Sequence, residues 1–274
     1  MVGGQVIFRR QPTEERKNIM IINMTVCELQ DRPDDFAHDW EGLVAHVKHT
    51  SSQLVVLPEM PFFPWFAVSR RYSSRIWVEA VKAHDRWMAR LQELEPAVVI
   101  GSRPVNTGEK RLNEGFIWDP VGGYRGVHNK YYLPNDPGFW EATWYQRGKG
   151  DFDLAHSGEL RLGFLICTEL WFMDRARAYG RAGAHVIVTP RATGKPTVDK
   201  WLVGGRAVAV VSGAYSLSSN RFSDEIDLGG QGWIVGPDGE VLGLTSRMQP
   251  FVTVSVDLGK AEIAKKTYPR YVLE

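Results

Sequence analysis

Cysteine is scarce in this sequence: its 274 residues include two, Cys27 and Cys167. Two thiols cannot staple a small disulfide scaffold, and so low a count fits a reducing, cytoplasmic setting. An excess of either charge is also missing. Lys and Arg total 33 against 32 Asp and Glu, a formal net charge of +1. That leaves no basic surplus to draw a phosphate backbone, so nucleic-acid binding is excluded as the main task. No apolar run approaches the ~18 residues of a membrane span, so no membrane role is expected. Residues 1–17 are polar rather than signal-like and read as an arm ahead of the folded body. Several familiar signatures are absent as well. There is no Gly-x-Ser-x-Gly elbow and no Gly-x-Gly-x-x-Gly, and Gly194-Lys195 runs into Pro196 instead of completing a phosphate loop. His46 and His49 lack the Glu of a zinc helix, and no Cys/His cluster calls for a metal. Neither cofactor nor metal is expected.

What is present is a 43% hydrophobic chain with strand and helix patterns in alternation. Short apolar runs at 18–26, 54–57, 97–101, 161–167 and 185–188 read as buried strands. Helical spacing appears at 33–49, with Phe36, Trp40, Leu43, Val44 and Val47 on one face, and again at 71–94, 174–182 and 197–210. A hairpin is expected over 115–129 around Asp119-Pro120-Val121-Gly122-Gly123, and four more strands over 214–217, 232–235, 241–244 and 251–256. Connections are short and no repeat is evident. The pattern implies one α/β domain over 18–259, its sheets covered by helices. The tail, 260–274, carries Tyr268, Tyr271, Val272 and Leu273, a composition suited to docking on a partner subunit.

Three polar residues stand where buried strands end. Glu59 follows Leu54-Val55-Val56-Leu57-Pro58, Lys130 closes the hairpin's return strand, and Cys167 ends Leu162-Gly163-Phe164-Leu165-Ile166. Taken singly they read as a solvated loop Glu, a surface Lys and an inert packed Cys. In open α/β sheets, however, sites gather at the carboxyl ends of strands. Together the three make an acyl-transfer set: a thiol nucleophile, a carboxylate to take its proton, and an ammonium to stabilise the oxyanion.

These residues carry a resemblance. Leu57-Pro58-Glu59, His128-Asn129-Lys130-Tyr131-Tyr132-Leu133-Pro134 and Leu165-Ile166-Cys167-Thr168-Glu169 resemble, in order, the three catalytic blocks of the nitrilase (carbon–nitrogen hydrolase) superfamily. The likeness runs from the first strand to Gly230-Gln231-Gly232-Trp233-Ile234-Val235-Gly236-Pro237-Asp238-Gly239. It implies an α-β-β-α sandwich that pairs through helices into a homodimer or larger homo-oligomer. It also implies Glu59 as general base, Lys130 as oxyanion stabiliser, Cys167 as nucleophile and the Thr168 N–H as a second oxyanion donor. The segment from Pro134 to Glu141 is similar to that of N-carbamoylputrescine-type amidohydrolases and makes Glu141 a second, orienting glutamate. Two departures stand out. Cys167-Thr168-Glu169 matches neither the Cys-Trp-Glu of nitrilases nor the Cys-Tyr-Asp of many amidases, and Val211 and Ser212 stand where the family continues Glu-Asn.

The implied reaction is hydrolysis of a linear amide or N-carbamoyl compound through a Cys167 thioester. The alternatives are a nitrilase acting on a nitrile and a non-catalytic binding protein that kept the fold. Trp65, Trp140 and Trp171, each near a block, are expected to line an apolar substrate pocket. Arg191, after the strand His185-Val186-Ile187-Val188-Thr189, offers a planar fork for a substrate carboxylate or, equally, an ion pair with Glu169.

Overall fold

The computed structural model describes residues 20–272, so the expected arm over 1–17 lies outside the described residues. In chain order the strands are β1 (Ile21–Gln30), β2 (Leu54–Val56), β3 (Val98–Thr107), β4 (Lys110–Asp119), β5 (Gly123–Asn129), β6 (Ala155–Ser157), β7 (Leu160–Phe164), β8 (Val186–Arg191), β9 (Tyr215–Ser223), β10 (Leu228–Gly229), β11 (Trp233–Val235), β12 (Val241–Leu244) and β13 (Phe251–Asp257). The helices are α1 (Pro33–His49), α2 (Ser74–Met88), α3 (Glu141–Trp144), α4 (Met173–Arg181), α5 (Val198–Ser212) and α6 (Gly259–Ala264).

Strand β1 belongs to two sheets. Its first part pairs with β2 in parallel and with β13 in antiparallel register, while Glu28, Leu29 and Gln30 pair with β9. One sheet therefore runs β5-β4-β3-β2-β1-β13, and the other runs β6-β7-β8-β9-β11-β12. Between them lies a core of Met24, Val26, Val56, Ile100, Phe164, Val188 and Leu217. Outside the first sheet α1 buries Phe36, Trp40, Leu43 and Val47; outside the second, α4 and α5 bury Ala176, Tyr179, Val208 and Ala209. The layers are helix, sheet, sheet, helix, the sandwich that the sequence implied.

Local chemistry explains the element ends. Helix α1 has Pro33 in its first turn beside Asp34 and Asp35, and Lys48 in its last, charges favourable to the helix dipole. The helix expected over 71–94 is shorter than its periodicity: Ser73 caps α2, which ends at Met88. The remainder folds into a 3₁₀ turn at Leu91–Leu94, because Arg90 Nε binds Glu93 Oε1 at 2.7 Å and Trp40 Nε1 binds Glu93 Oε2 at 2.8 Å. Strand β9 is longer than 214–217 and wholly buried, although it reads Ser218-Ser219-Asn220-Arg221. Its polar atoms bond inside the protein: Ser219 Oγ donates to Val56 O at 2.6 Å, Asn220 Nδ2 to Gly230 O at 2.6 Å, and Arg221 pairs with Asp31. The tail begins inside the body, since α6 buries Ala261 and Ala264; Tyr268 and Tyr271 beyond it are exposed.

Ser212 settles the helix-to-sheet joint where the sequence departs from the family pattern. Its Oγ donates to Val208 O at 2.7 Å and accepts from Ala214 N at 3.1 Å, closing α5 before Gly213 turns with φ +66°. Helix α4 crosses here at close quarters: a Cβ on Gly180 would stand 2.2 Å from Ser212 O. Gly180→Ala must push the two helices apart, and overpacking of this kind costs about 1–3 kcal/mol. A melt followed by circular dichroism is expected to show a clear drop in Tm.

Candidate active site

The ends of β2, β5 and β7 bring the acyl-transfer set together. Glu59 follows β2 and Pro58, and its N–H donates to Arg191 O at 3.1 Å, tying it to the second sheet. Lys130 follows β5; its N–H donates to Asn113 O at 2.9 Å and its carbonyl accepts from Gly148 N at 3.0 Å. Only glycine fits at 148, where a Cβ would meet Asn129 O at 2.2 Å. Cys167 opens a 3₁₀ turn after β7 with φ +49°, a left-handed backbone that few non-glycine residues hold without enforcement. All three, and Glu141 at the start of α3, are buried.

Lys130 is the hub. Its Nζ donates to Glu59 Oε1 at 2.8 Å and to Glu141 Oε2 at 2.5 Å. Glu59 Oε1 also accepts from Asn113 Nδ2 at 2.7 Å, and Glu141 Oε2 from the Tyr145 hydroxyl. Each carboxylate keeps one buried oxygen, Glu59 Oε2 and Glu141 Oε1, with no hydrogen-bond partner among the described residues. The Glu59, Glu141 and Cys167 donor atoms all lie within 4.8 Å of one another. Such a set could hold a metal ion, but the ammonium of Lys130 already stands between the two carboxylates as the cation. Burial lowers the Lys130 pKa, yet Glu141 and Glu59 outweigh it and hold the ammonium above the ordinary lysine value. Burial raises Glu141, against the pull of Lys130. Burial and then the Glu59 carboxylate raise the Cys167 thiol well above its usual range, with Lys130 opposing. The shift favours a protonated Cys167 thiol, which would need a base in order to attack.

A second buried acid braces the site. Glu169 Oε1 accepts from Tyr131 N at 2.7 Å, while its Oε2 accepts from Ile166 N at 2.9 Å and lies 2.8 Å from His128 Nε2. One carboxylate thus locks the strand end that carries Lys130 to the one that carries Cys167. Asn113, Tyr145 and Glu169 went unrecognised in the sequence. For Tyr145 the signal was available, because it sits one helical turn after Glu141.

A cavity of about 280 Å³ opens onto Cys167, Thr168 and Glu141. Its walls include Phe139, Trp171 and Trp201, the two indoles 5.0 Å apart, and its lining includes the exposed charges Asp136 and Lys200. Of the three expected tryptophans, Trp171 is in this lining. Trp65 is not: it is buried in the aromatic cluster beside the site, its Nε1 bonded to Gly138 O at 3.0 Å. Trp140 also stands outside the cavity lining, with Arg70 5.0 Å over its ring. Phe139 and Trp201 take the places expected of them.

The structure places Arg191 outside the cavity lining and bonds it to acceptors other than Glu169. It is fully buried, its Nε and two terminal nitrogens bonded to Ser218 Oγ at 2.7 Å, Thr193 Oγ1 at 2.9 Å and Gln231 O at 2.5 Å, with Trp233 stacked at 4.1 Å. Each of its three nitrogens already holds a neutral acceptor, and the side chain stands outside the cavity lining, so the geometry favours a scaffold role. Cys27 is equally remote from chemistry, packed inside with its Sγ 3.4 Å from Val56 O.

The pattern that defines the carbon-nitrogen hydrolase family matches residues 25–266. The chain belongs to that family. N-carbamoylputrescine amidase of Arabidopsis thaliana is 24% identical over 253 residues, 84% of this chain and 83% of its own length. A carbon-nitrogen hydrolase from Helicobacter pylori G27 superposes with a TM-score of 0.80 at 22% identity, covering 92% of this chain and 94% of that one. A variant amidase from Nesterenkonia sp. AN1 (TM-score 0.71, 21% identity, 88% and 92% covered) carries the acetamide moiety of fluoroacetamide on its active-site cysteine. This protein is an amidase-type carbon–nitrogen hydrolase with a layered α/β fold.

Two variants test the scaffold. Glu169→Gln turns an N–H toward donors in a buried bridge, at a cost of about 1–3 kcal/mol; thermal melts are expected to show it as a lower Tm. Arg191→Leu is expected to lower Tm and to reduce turnover alike for carboxylate-bearing and neutral amides. A rise in KM confined to acidic substrates would return Arg191 to the binding site.

Proposed function

We propose that this enzyme hydrolyses a linear amide or N-carbamoyl group through a Cys167 thioester. The observation that carries the reading is the buried Glu59–Lys130–Glu141 chain beside Cys167. Glu59 Oε2, unpartnered, takes the thiol proton as Sγ attacks the carbonyl carbon. The carbonyl electrons move to oxygen, where the third N–H of Lys130 and the backbone N–H of Thr168 receive them. Two of the three ammonium protons are already committed to Glu59 and Glu141, which fixes the direction of the third. As the C–N bond breaks, Glu59 returns the proton to the departing amine or ammonia. Water, deprotonated by Glu59, then opens the thioester and regenerates the thiol. Glu141 Oε1 accepts an N–H of the bound amide and orients it for attack.

In the same reading two copies pair through their outer helices, with Val203 of α5 exposed on that face and the tail bearing Tyr268 and Tyr271 docked on the partner. The enzyme works in a reducing cytoplasm, where its two unpaired thiols persist. Light scattering that finds a monomer at micromolar concentration removes the pairing.

Ammonia release over amides, N-carbamoyl compounds and nitriles tests the chemistry. Cys167→Ala is expected to abolish turnover with the fold intact, and intact mass with a slow substrate to place the adduct on Cys167 rather than Cys27. Glu59→Gln is expected to lower kcat by about 10²–10⁴-fold with little change in KM. Lys130→Met is expected to lower it by about 10²–10³-fold. Near wild-type kcat in either variant removes that residue's role; release from nitriles alone replaces the amidase reading with a nitrilase.

A further inference from the structure

The cavity is not uniformly apolar along its depth. Cys167, Thr168 and Glu141 lie at its buried end, Phe139, Trp171 and Trp201 form its walls, and Asp136 and Lys200 are the ionic side chains at its exposed end. The two come from different elements. Asp136 sits in the turn closed by Phe139 N–H on Asp136 O at 2.8 Å, and Lys200 lies in the first turn of α5. Many of the protein's other surface charges are paired, among them Lys195 with Asp224 and Arg270 with Asp238. Neither the Asp136 carboxylate nor the Lys200 ammonium enters a hydrogen bond or ion pair among the described residues. One negative and one positive group, both uncommitted, border a cavity whose other end is built for an amide.

From this juxtaposition, and resting on the amidase reading above, we propose that the substrate carries an α-amino acid at the end remote from the scissile amide or ureido group. Its ammonium faces Asp136, its carboxylate faces Lys200, and a short methylene chain spans the aromatic walls. The two opposite charges select this class over its neighbours. A far end that is only an ammonium satisfies Asp136 but is repelled by Lys200; one that is only a carboxylate meets the reverse. A neutral aryl or alkyl end leaves both charges without a counterpart. The zwitterion answers both at once. The pairs are exposed, so each contributes modestly, and discrimination comes from their combination.

The test reads the rim separately from turnover. Three chloroacetamides of equal chain length, ending in an α-amino acid, a primary ammonium and a carboxylate, are offered to the full-length enzyme. Cys167 Sγ displaces chloride, forming a C–S bond and releasing HCl, and mass spectrometry gives the second-order rate. The amino acid probe is expected to react about fivefold or more faster than either singly charged probe. Lys200→Ala is expected to raise the rate of the ammonium probe and Asp136→Asn that of the carboxylate probe, each shrinking the zwitterion's advantage. Equal rates for the three probes, or a preference that neither variant alters, overturn the proposal. Selective labelling of Cys167 without ammonia release from any amide or ureido compound overturns the amidase reading and leaves the rim assignment standing. Labelling by none of the three overturns both.

Discussion

One buried ammonium holds the site together. Lys130 has no solvent to disperse its charge, and two carboxylates from different parts of the chain converge on it. Removing the lysine would leave two buried carboxylates without a counter-charge in a low-dielectric interior, which costs several kcal/mol. The arrangement therefore enforces itself: Glu141 and Glu59 hold the Lys130 ammonium, and Lys130 in turn opposes the upward push of burial on Glu141. Asn113 and Tyr145 take up further lone pairs, leaving one oxygen of each acid uncommitted. In the proposed reaction the buried network supplies direction more than stability, since it leaves one donor and two acceptors for a bound amide.

Glu169 solves a related problem at the level of the backbone. The lysine hangs from the first sheet and the cysteine from the second, and packing between sheets is non-directional. A carboxylate that accepts from both strand ends, and from His128 beside them, gives the seam a fixed register. That register also bears on Cys167, whose left-handed backbone conformation persists only where its surroundings over-determine it.

The layers and the converging set of Glu59, Lys130 and Cys167 were legible in the sequence because both leave local traces. Apolar runs such as 54–57 mark strands, and Glu59, Lys130 and Cys167 stand just past them. Function carried by long-range polar contacts was less visible. Asn113 is a polar residue in a hairpin strand until the fold lays it against Glu59, 54 residues earlier. Strand β9 hid its length for a similar reason: a run of Ser, Asn and Arg reads as surface, and only the acceptors at Val56, Gly230 and Asp31 make it interior. The tryptophans show the limit of proximity. Trp65 and Trp140 are close to the blocks in sequence, but loop packing claims them, whereas Trp201 reaches the cavity from a helix that no block contains. Arg191 reads as a carboxylate fork by its type, whereas two of its three acceptors, Ser218 and Gln231, come from distant parts of the chain.

The double membership of β1 bears on how the chain reaches this state. Its partners are β2, which follows soon after, and β9 and β13, which are made some 190 and 230 residues later. Leu258 N–H meets Met20 O at 3.1 Å, so the two extremities of the sandwich are side by side. A chain emerging from the ribosome holds its first strand with both remaining edges open until almost the whole sequence has been made. Such topology makes for slow closure and an exposed template in the meantime.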